Sequence, residues 1–206
     1  MTGNEKLITR IHLLGMPGSG KDKNASFLKD KFPDISDIIS TGDIFRGAST
    51  PDGKYGCYYP ILKPHIENTN KGGLIPDDVI VMIVNMETAK RQKQHFSRFI
   101  FTGYPRTLGQ FEEINKSPQN DVFVFLDCSQ ENAIIRTNNR YTKSLAKGEN
   151  PRKDDLPEIF LNRLKNYQQY TLPLIMELKR RGNLITINAN DTIENVAKDV
   201  IKKVLL

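Results

Sequence analysis

The chain has 206 residues, 38% of them hydrophobic, which suffices for a single core and one α/β domain with small inserted lobes. No apolar run reaches the roughly 18–20 residues of a helical membrane span, so no membrane partner is expected. The net charge of +6 is carried by scattered lysines rather than a dense basic tract. That argues against nucleic acid and leaves a polyanionic small substrate as the natural partner.

Two cysteines, Cys57 and Cys128, stand far apart in no metal-ligand pattern and read as packing residues. The opening segment, Met1 to Arg10, has neither a secretory apolar core nor a transit pattern, and a reducing cytoplasmic setting is expected. His12, His65 and His95 are scattered outside any motif and read as structural or surface residues.

In chain order, Ile8 to Leu14 is a β-branched and aliphatic run that reads as a buried first strand. The glycine-rich turn Gly15 to Gly20 leads into a helix that closes near Phe32, before Pro33. A short strand, Ile38 to Ser40, precedes a helical piece from Asp43 to Arg46. Ser49 to Tyr59 reads as loop, and a helix is expected from about Ile61 to Asn70, with Pro60 and Pro64 near its first turn. Pro76-Asp77-Asp78 opens a helix to about Lys90. Arg98 to Thr102 is a third strand, Leu108 to Lys116 a helix, and Asp121 to Asp127 a fourth strand.

Ser129 caps a helix from about Gln130 to Tyr141. Residues 142–152 read as a polar loop, and a long helix bent at Pro173 is expected from about Asp154 to Arg181. Leu184 to Ile187 is a fifth strand and Thr192 to Val204 a closing helix. Buried strands alternating with helices imply a parallel sheet of about five strands with helices on both faces, and ligands at the carboxyl ends of the strands.

The segment Gly15-Met16-Pro17-Gly18-Ser19-Gly20-Lys21 has the spacing Gly-x4-Gly-Lys between a strand and a helix. Such a P-loop cradles phosphate oxygens with inward-turned backbone N–H groups, and its lysine reaches the outer phosphates. Two further segments are Ser40-Thr41-Gly42-Asp43-Ile44-Phe45-Arg46 and Phe101-Thr102-Gly103-Tyr104-Pro105-Arg106, the latter followed by Gln110. A fourth signal is a set of arginines. Arg136 and Arg140 share one helix face, Arg152 opens Arg152-Lys153-Asp154-Asp155, and Arg163 begins Arg-Leu-x2-Tyr with Leu164 and Tyr167.

Together these segments resemble the adenylate kinases, nucleoside monophosphate kinases of the short-lid form. The resemblance implies one P-loop kinase domain over residues 1–206, with an AMP-binding lobe at about 41–71 and a short lid at about 141–152, both mobile. It implies reversible transfer of the γ-phosphoryl group of ATP to AMP, giving two ADP. In the resemblance, ATP lies on Gly15, Pro17, Gly18, Ser19, Gly20, Lys21, Asp22 and Lys23, with Arg136 and Arg140. AMP lies on Thr41, Arg46, Gly103, Arg106, Gln110, Arg152 and Arg163. Lys21, Arg106, Arg136, Arg152 and Arg163 would carry catalysis, by fixing cations around a transition state that spreads negative charge over three oxygens. Thr41 and Gln110 favour AMP over pyrimidine acceptors. A monomer is implied, and the lid lacks the cysteine pairs of a structural zinc site.

Two departures from the family touch one piece of chemistry. Lys23 stands where the family has a P-loop Thr, and Thr102 where it has an Asp; both family residues help to position magnesium. No direct protein ligand is therefore expected, with Mg2+ carried by ATP. Lys23 is a candidate to supply positive charge there, and Asp22 to replace a lost ligand oxygen. The alternatives are a monophosphate kinase with another acceptor or donor, and a nucleotide-binding protein with weak or lost catalysis. Asp43 reads equally as a helix cap or as a group that orients water or metal. Asp154 and Asp155 read equally as helix-terminal charges or as parts of the site.

Overall fold

The structure, a computed structural model, describes residues 8–117 and 119–205. Met1 to Leu7, which open the segment without a targeting pattern, lie outside them. Five strands, β1 (Thr9–Leu14), β2 (Ser36–Ser40), β3 (Arg98–Thr102), β4 (Asn120–Asp127) and β5 (Ile185–Asn188), form one parallel sheet in the order β2-β3-β1-β4-β5. The chain leaves β1 toward β2 and β3, then crosses β1 to reach β4, so the direction reverses beside β1. That reversal opens a crevice at the carboxyl ends of the strands.

Alternate strand residues face opposite sides, and each side buries its own cluster. Phe99, Phe101 and Phe123 pack with Phe111, Ile83 and Leu178 on one face. Ile11, Ile100, Val124 and Leu126 pack with Leu28, Ala133 and Val200 on the other. The helices are α1 (Lys21–Lys31), α2 (Thr41–Gly47), α3 (Tyr59–Leu62), α4 (Ile66–Asn70), α5 (Asp77–Gln92), α6 (Leu108–Lys116), α7 (Gln130–Ala146), α8 (Pro157–Asn166), α9 (Leu172–Arg180) and α10 (Ile193–Leu205). None of them is long and apolar enough to cross a membrane.

Several sequence expectations need correction. The helix expected over Ile61–Asn70 is broken into α3 and α4 by a 3-10 turn at Lys63–His65. Pro64 has no N–H and clashes with the carbonyl four residues back, so one α-helix cannot run through it. The polar segment 142–152 is not all loop, because α7 runs on to Ala146. The long helix expected from Asp154 is a 3-10 turn at Lys153–Asp155, then α8, a π-helical turn over Tyr167–Thr171, and α9. Pro157 sets the real start, since a residue before proline is driven to extended backbone; Leu156 has φ −61° and ψ 138°. The expected bend at Pro173 takes the form of the π turn just ahead of it. Cys57 is exposed rather than packed, whereas Cys128 is buried.

Candidate active site

The P-loop joins β1 to α1. Gly18 has φ +84°, and a Cβ there would lie 2.5 Å from the carbonyl oxygen of Ala133, so only glycine fits where the loop runs beneath α7. Gly20 caps α1 with no side-chain hydrogen bond, which leaves the leading N–H groups of the helix for an anion. Ser19 is buried, and its N–H donates to Met16 O at 3.1 Å, closing the turn. Gly15, Pro17 and Lys21 line the mouth of the loop.

Lys21 Nζ donates to Gly15 O at 2.9 Å and Met16 O at 2.8 Å, folding over the loop's own carbonyls. Burial pushes its ammonium down to about 7; Asp22 opposes this and Arg163, Arg106 and Arg140 add to it. A lysine held so far below its ordinary range in a cluster of guanidinium groups marks a place that an anion would stabilise.

The arginines come from five separate parts of the chain. Arg106 follows β3, and its Nε donates to Gly103 O at 2.9 Å. Burial, with Arg163 beside it, lowers Arg106 to about 10. Arg163 on α8 donates to Asp154 O at 3.1 Å and pairs with Asp154 Oδ2 at 3.0 Å; burial likewise lowers it. Arg140 on α7 donates from Nε to Asp155 Oδ2 at 2.7 Å, and this hydrogen bond raises it. Arg46 at the end of α2 holds Asp43 Oδ1 at 2.5 Å and Asp154 Oδ2 at 3.4 Å. Arg152 approaches Asp22 Oδ2 at 3.7 Å. Asp154 therefore joins Arg46 on α2 to Arg163 on α8, and Asp155, 3% exposed, anchors Arg140. Asp43 is no cap: Ser40 Oγ caps α2 by accepting from the Asp43 N–H.

Arg136 stands apart from this group. Its Nη2 donates to Asp191 O at 2.7 Å and its Nη1 to Cys128 Sγ at 3.6 Å, toward the β5–α10 loop. Lys23 is exposed on the first turn of α1. Thr102, 2% exposed at the end of β3, has a buried hydroxyl with no hydrogen-bond partner among the described residues.

Beside the cluster a cavity of about 600 Å3 opens among Thr41, Phe45, Arg46, Leu62, Ile75, Gly103, Arg106, Gln110, Arg152 and Arg163. That is room for a mononucleotide. Gly103 has φ +78°, and a Cβ there would lie 2.6 Å from Thr41 Oγ1 and 2.7 Å from Arg106 Nη2. Thr41 Oγ1 donates to Gly103 O at 2.9 Å, which leaves only acceptor capacity for a base. Gln110 is committed at both ends: Oε1 accepts from the Arg106 N–H at 2.7 Å and Nε2 donates to Asp77 Oδ1 at 2.8 Å.

Two supporting residues escaped the sequence reading. Asp77, taken only as a helix-start charge, accepts from both Gln110 and Thr107. Thr171, in the π turn, donates to Arg106 O at 2.9 Å. His12, fully buried and stacked between Phe101 and Phe123, bonds Asp121 at 2.9 Å and Tyr104 O at 3.3 Å. Burial holds its pKa below the usual value. Of the two readings the sequence allows for His12, structural or surface, the structure shows the first.

A family model described as adenylate kinase matches residues 13–183. The chain belongs to the adenylate kinase family. It is 33% identical over 196 residues to an adenylate kinase of Nitrobacter winogradskyi, covering 93% of this chain and 90% of that protein. It is 32% identical over 203 residues to one of Agrobacterium fabrum, covering 95% and 97%. An adenylate kinase of Oenococcus oeni is 32% identical over 200 residues, covering 95% and 96%. The matched span runs from the end of β1 to just past α9, so the P-loop, the cavity and every arginine described above lie inside the adenylate kinase match.

Proposed function

We propose that the chain transfers the γ-phosphoryl group of ATP to AMP, reversibly, giving two ADP. One observation carries this reading: Lys21, Arg106, Arg140 and Arg163 act on one another between a P-loop on one side and a nucleotide-sized cavity on the other. A cation cluster between two phosphate-binding places suits transfer between two polyanions.

The donor triphosphate lies along Gly15–Lys21, against the free N–H groups of α1, with Arg140 and Arg152 over it. Arg136, turned toward Asp191, addresses the donor nucleoside rather than the transferring phosphate. The acceptor sits in the cavity with Arg46 and Arg106 on its phosphate and Thr41, Gly103 and Gln110 around its base. An acceptor phosphate oxygen is already an anionic nucleophile, so alignment and charge stabilisation suffice and no general base is needed. Asp154, held by Arg46 and Arg163, links the lobe to the segment after the lid, so that closure draws both over the substrates and excludes water. Magnesium arriving on ATP supplies charge neutralisation at the phosphates. The protein acts as a monomer in the cytoplasm, with both cysteines free.

The test is ADP formation from ATP with and without AMP. AMP-dependent turnover is expected, and Lys21→Met should lower kcat by roughly two decades or more, the scale of a lost transition-state charge contact. No turnover with AMP, or a loss below about threefold in the variant, would overturn the reading.

A further inference from the structure

Asp22 is a carboxylate in the first turn of α1, beside a loop built to hold polyanions. The charged side chains that act on it, Lys21, Arg152 and Arg46, are all positive. Its neighbours among the carboxylates are closely committed: Asp43 to Arg46 at 2.5 Å, Asp154 to Arg163 at 3.0 Å, Asp155 to Arg140 Nε at 2.7 Å. Among the described residues Asp22 pairs with Arg152 at the long distance of 3.7 Å, and its side chain is 50% exposed.

Thr102 acts on that carboxylate from the end of β3. Its hydroxyl lies near Asp22 without reaching hydrogen-bond geometry, so the oxygen is buried and unsatisfied. Leaving such a group orphaned is unfavourable. A carboxylate beside the phosphates adds repulsion. A hard cation between the phosphates and the Asp22 carboxylate removes that repulsion and holds the carboxylate where the Thr102 hydroxyl can donate to it. The donors are oxygen only, which suits Mg2+ or Mn2+ and disfavours softer metals. P-loop proteins commonly hold magnesium with a hydroxyl on the residue after the lysine and a carboxylate on a strand. Here the first turn of α1 supplies the carboxylate and the strand supplies the hydroxyl.

We propose that Asp22 and Thr102 form the protein's hold on the divalent cation carried by the nucleoside triphosphate. Asp22 is the ligand, and Thr102 is a positioning residue that donates its hydroxyl hydrogen to the Asp22 carboxylate. Cation binding releases Arg152 to the phosphates. The assignment rests on the phosphotransfer reading above and departs from the sequence expectation of no direct protein ligand.

Binding of Mn2+ to the complex of protein and a non-hydrolysable ATP analogue, read from the free-Mn2+ resonance signal, tests it. Asp22→Asn should weaken Mn2+ binding roughly 10–100-fold, while tightening metal-free analogue binding because a repelling charge is removed. Thr102→Val should weaken it less, and Thr102→Ser should not. The exchanged double variant Asp22→Thr with Thr102→Asp should recover most of the wild-type affinity. If that variant does not fold, Asp22→Asn and the Val/Ser pair decide. Equal Mn2+ affinity in Asp22→Asn and wild type would overturn the proposal. The titration contains no AMP, so absent turnover with AMP would sink the acceptor assignment and leave this result standing.

Discussion

At pH 8 the free protein should take up close to one proton when a nucleoside triphosphate analogue binds. Lys21 sits at about 7 because burial and the guanidinium groups of Arg163, Arg106 and Arg140 disfavour its ammonium form. A polyanion on the P-loop reverses the balance and restores the group toward its ordinary value of about 10.4. At pH 8 a group titrating near 7 is only about one-tenth protonated, so binding draws in about 0.9 proton; at pH 6 uptake falls to about 0.1. By linkage, affinity is flat below about pH 7 and declines above it, by up to about 1.4 kcal/mol per pH unit. The assay is calorimetric titration of the analogue at pH 8 in HEPES and in Tris, whose heats of ionisation differ. Phosphate itself is mostly ionised at that pH, so the buffer-dependent heat reports the protein. Identical heats in the two buffers, or the same uptake in Lys21→Met, would refute the reasoning.

Two further outcomes follow from the packing. Gly103→Ala forces a side chain into φ +78° and against Thr41 Oγ1 and Arg106 Nη2. With strain of about 1–2 kcal/mol, KM for AMP should rise by about tenfold or more while ATP affinity changes little, measured by AMP titration at saturating ATP. Arg91 donates to Glu87, which is 1% exposed and also accepts from Tyr58 OH at 2.7 Å, and to Asp37 at 2.6 Å. Arg91→Met leaves Glu87 buried and unpaired and should cost about 3–5 kcal/mol in urea unfolding; a loss below about 1 kcal/mol would show that Glu87 is neutralised instead.

Much of the fold was readable because the relevant signals are local. The five apolar runs and the glycine turn at Gly15–Gly20 place strands and P-loop within a residue or two. The errors fall where one residue's stereochemistry overrides a broad pattern: Pro64 splits a helix, Pro157 sets another's start, and α7 continues through a polar stretch that periodicity read as loop. In the site, motif spacing named the cations but not their partners. Asp77 and Thr171, which hold Gln110 and Arg106, come from parts of the chain 33 and 65 residues away, and no short-range rule links them.

Residue order alone sufficed for the class of chemistry, since the phosphate cradle, its lysine and the arginines stand at spacings that backbone geometry converts into a site. Which of those groups meet was settled by folding. The reversal of the sheet beside β1 brings the P-loop and the end of β3 to one crevice, where the charges of Lys21, Arg106 and Arg163 act on one another and Asp22 comes beside the buried hydroxyl of Thr102. Arg136, on the same helix face as Arg140, ends instead against Asp191. Burial and mutual charge are properties of that assembled crevice, and they shift the ionisation of groups that side-chain identity alone leaves at their ordinary values.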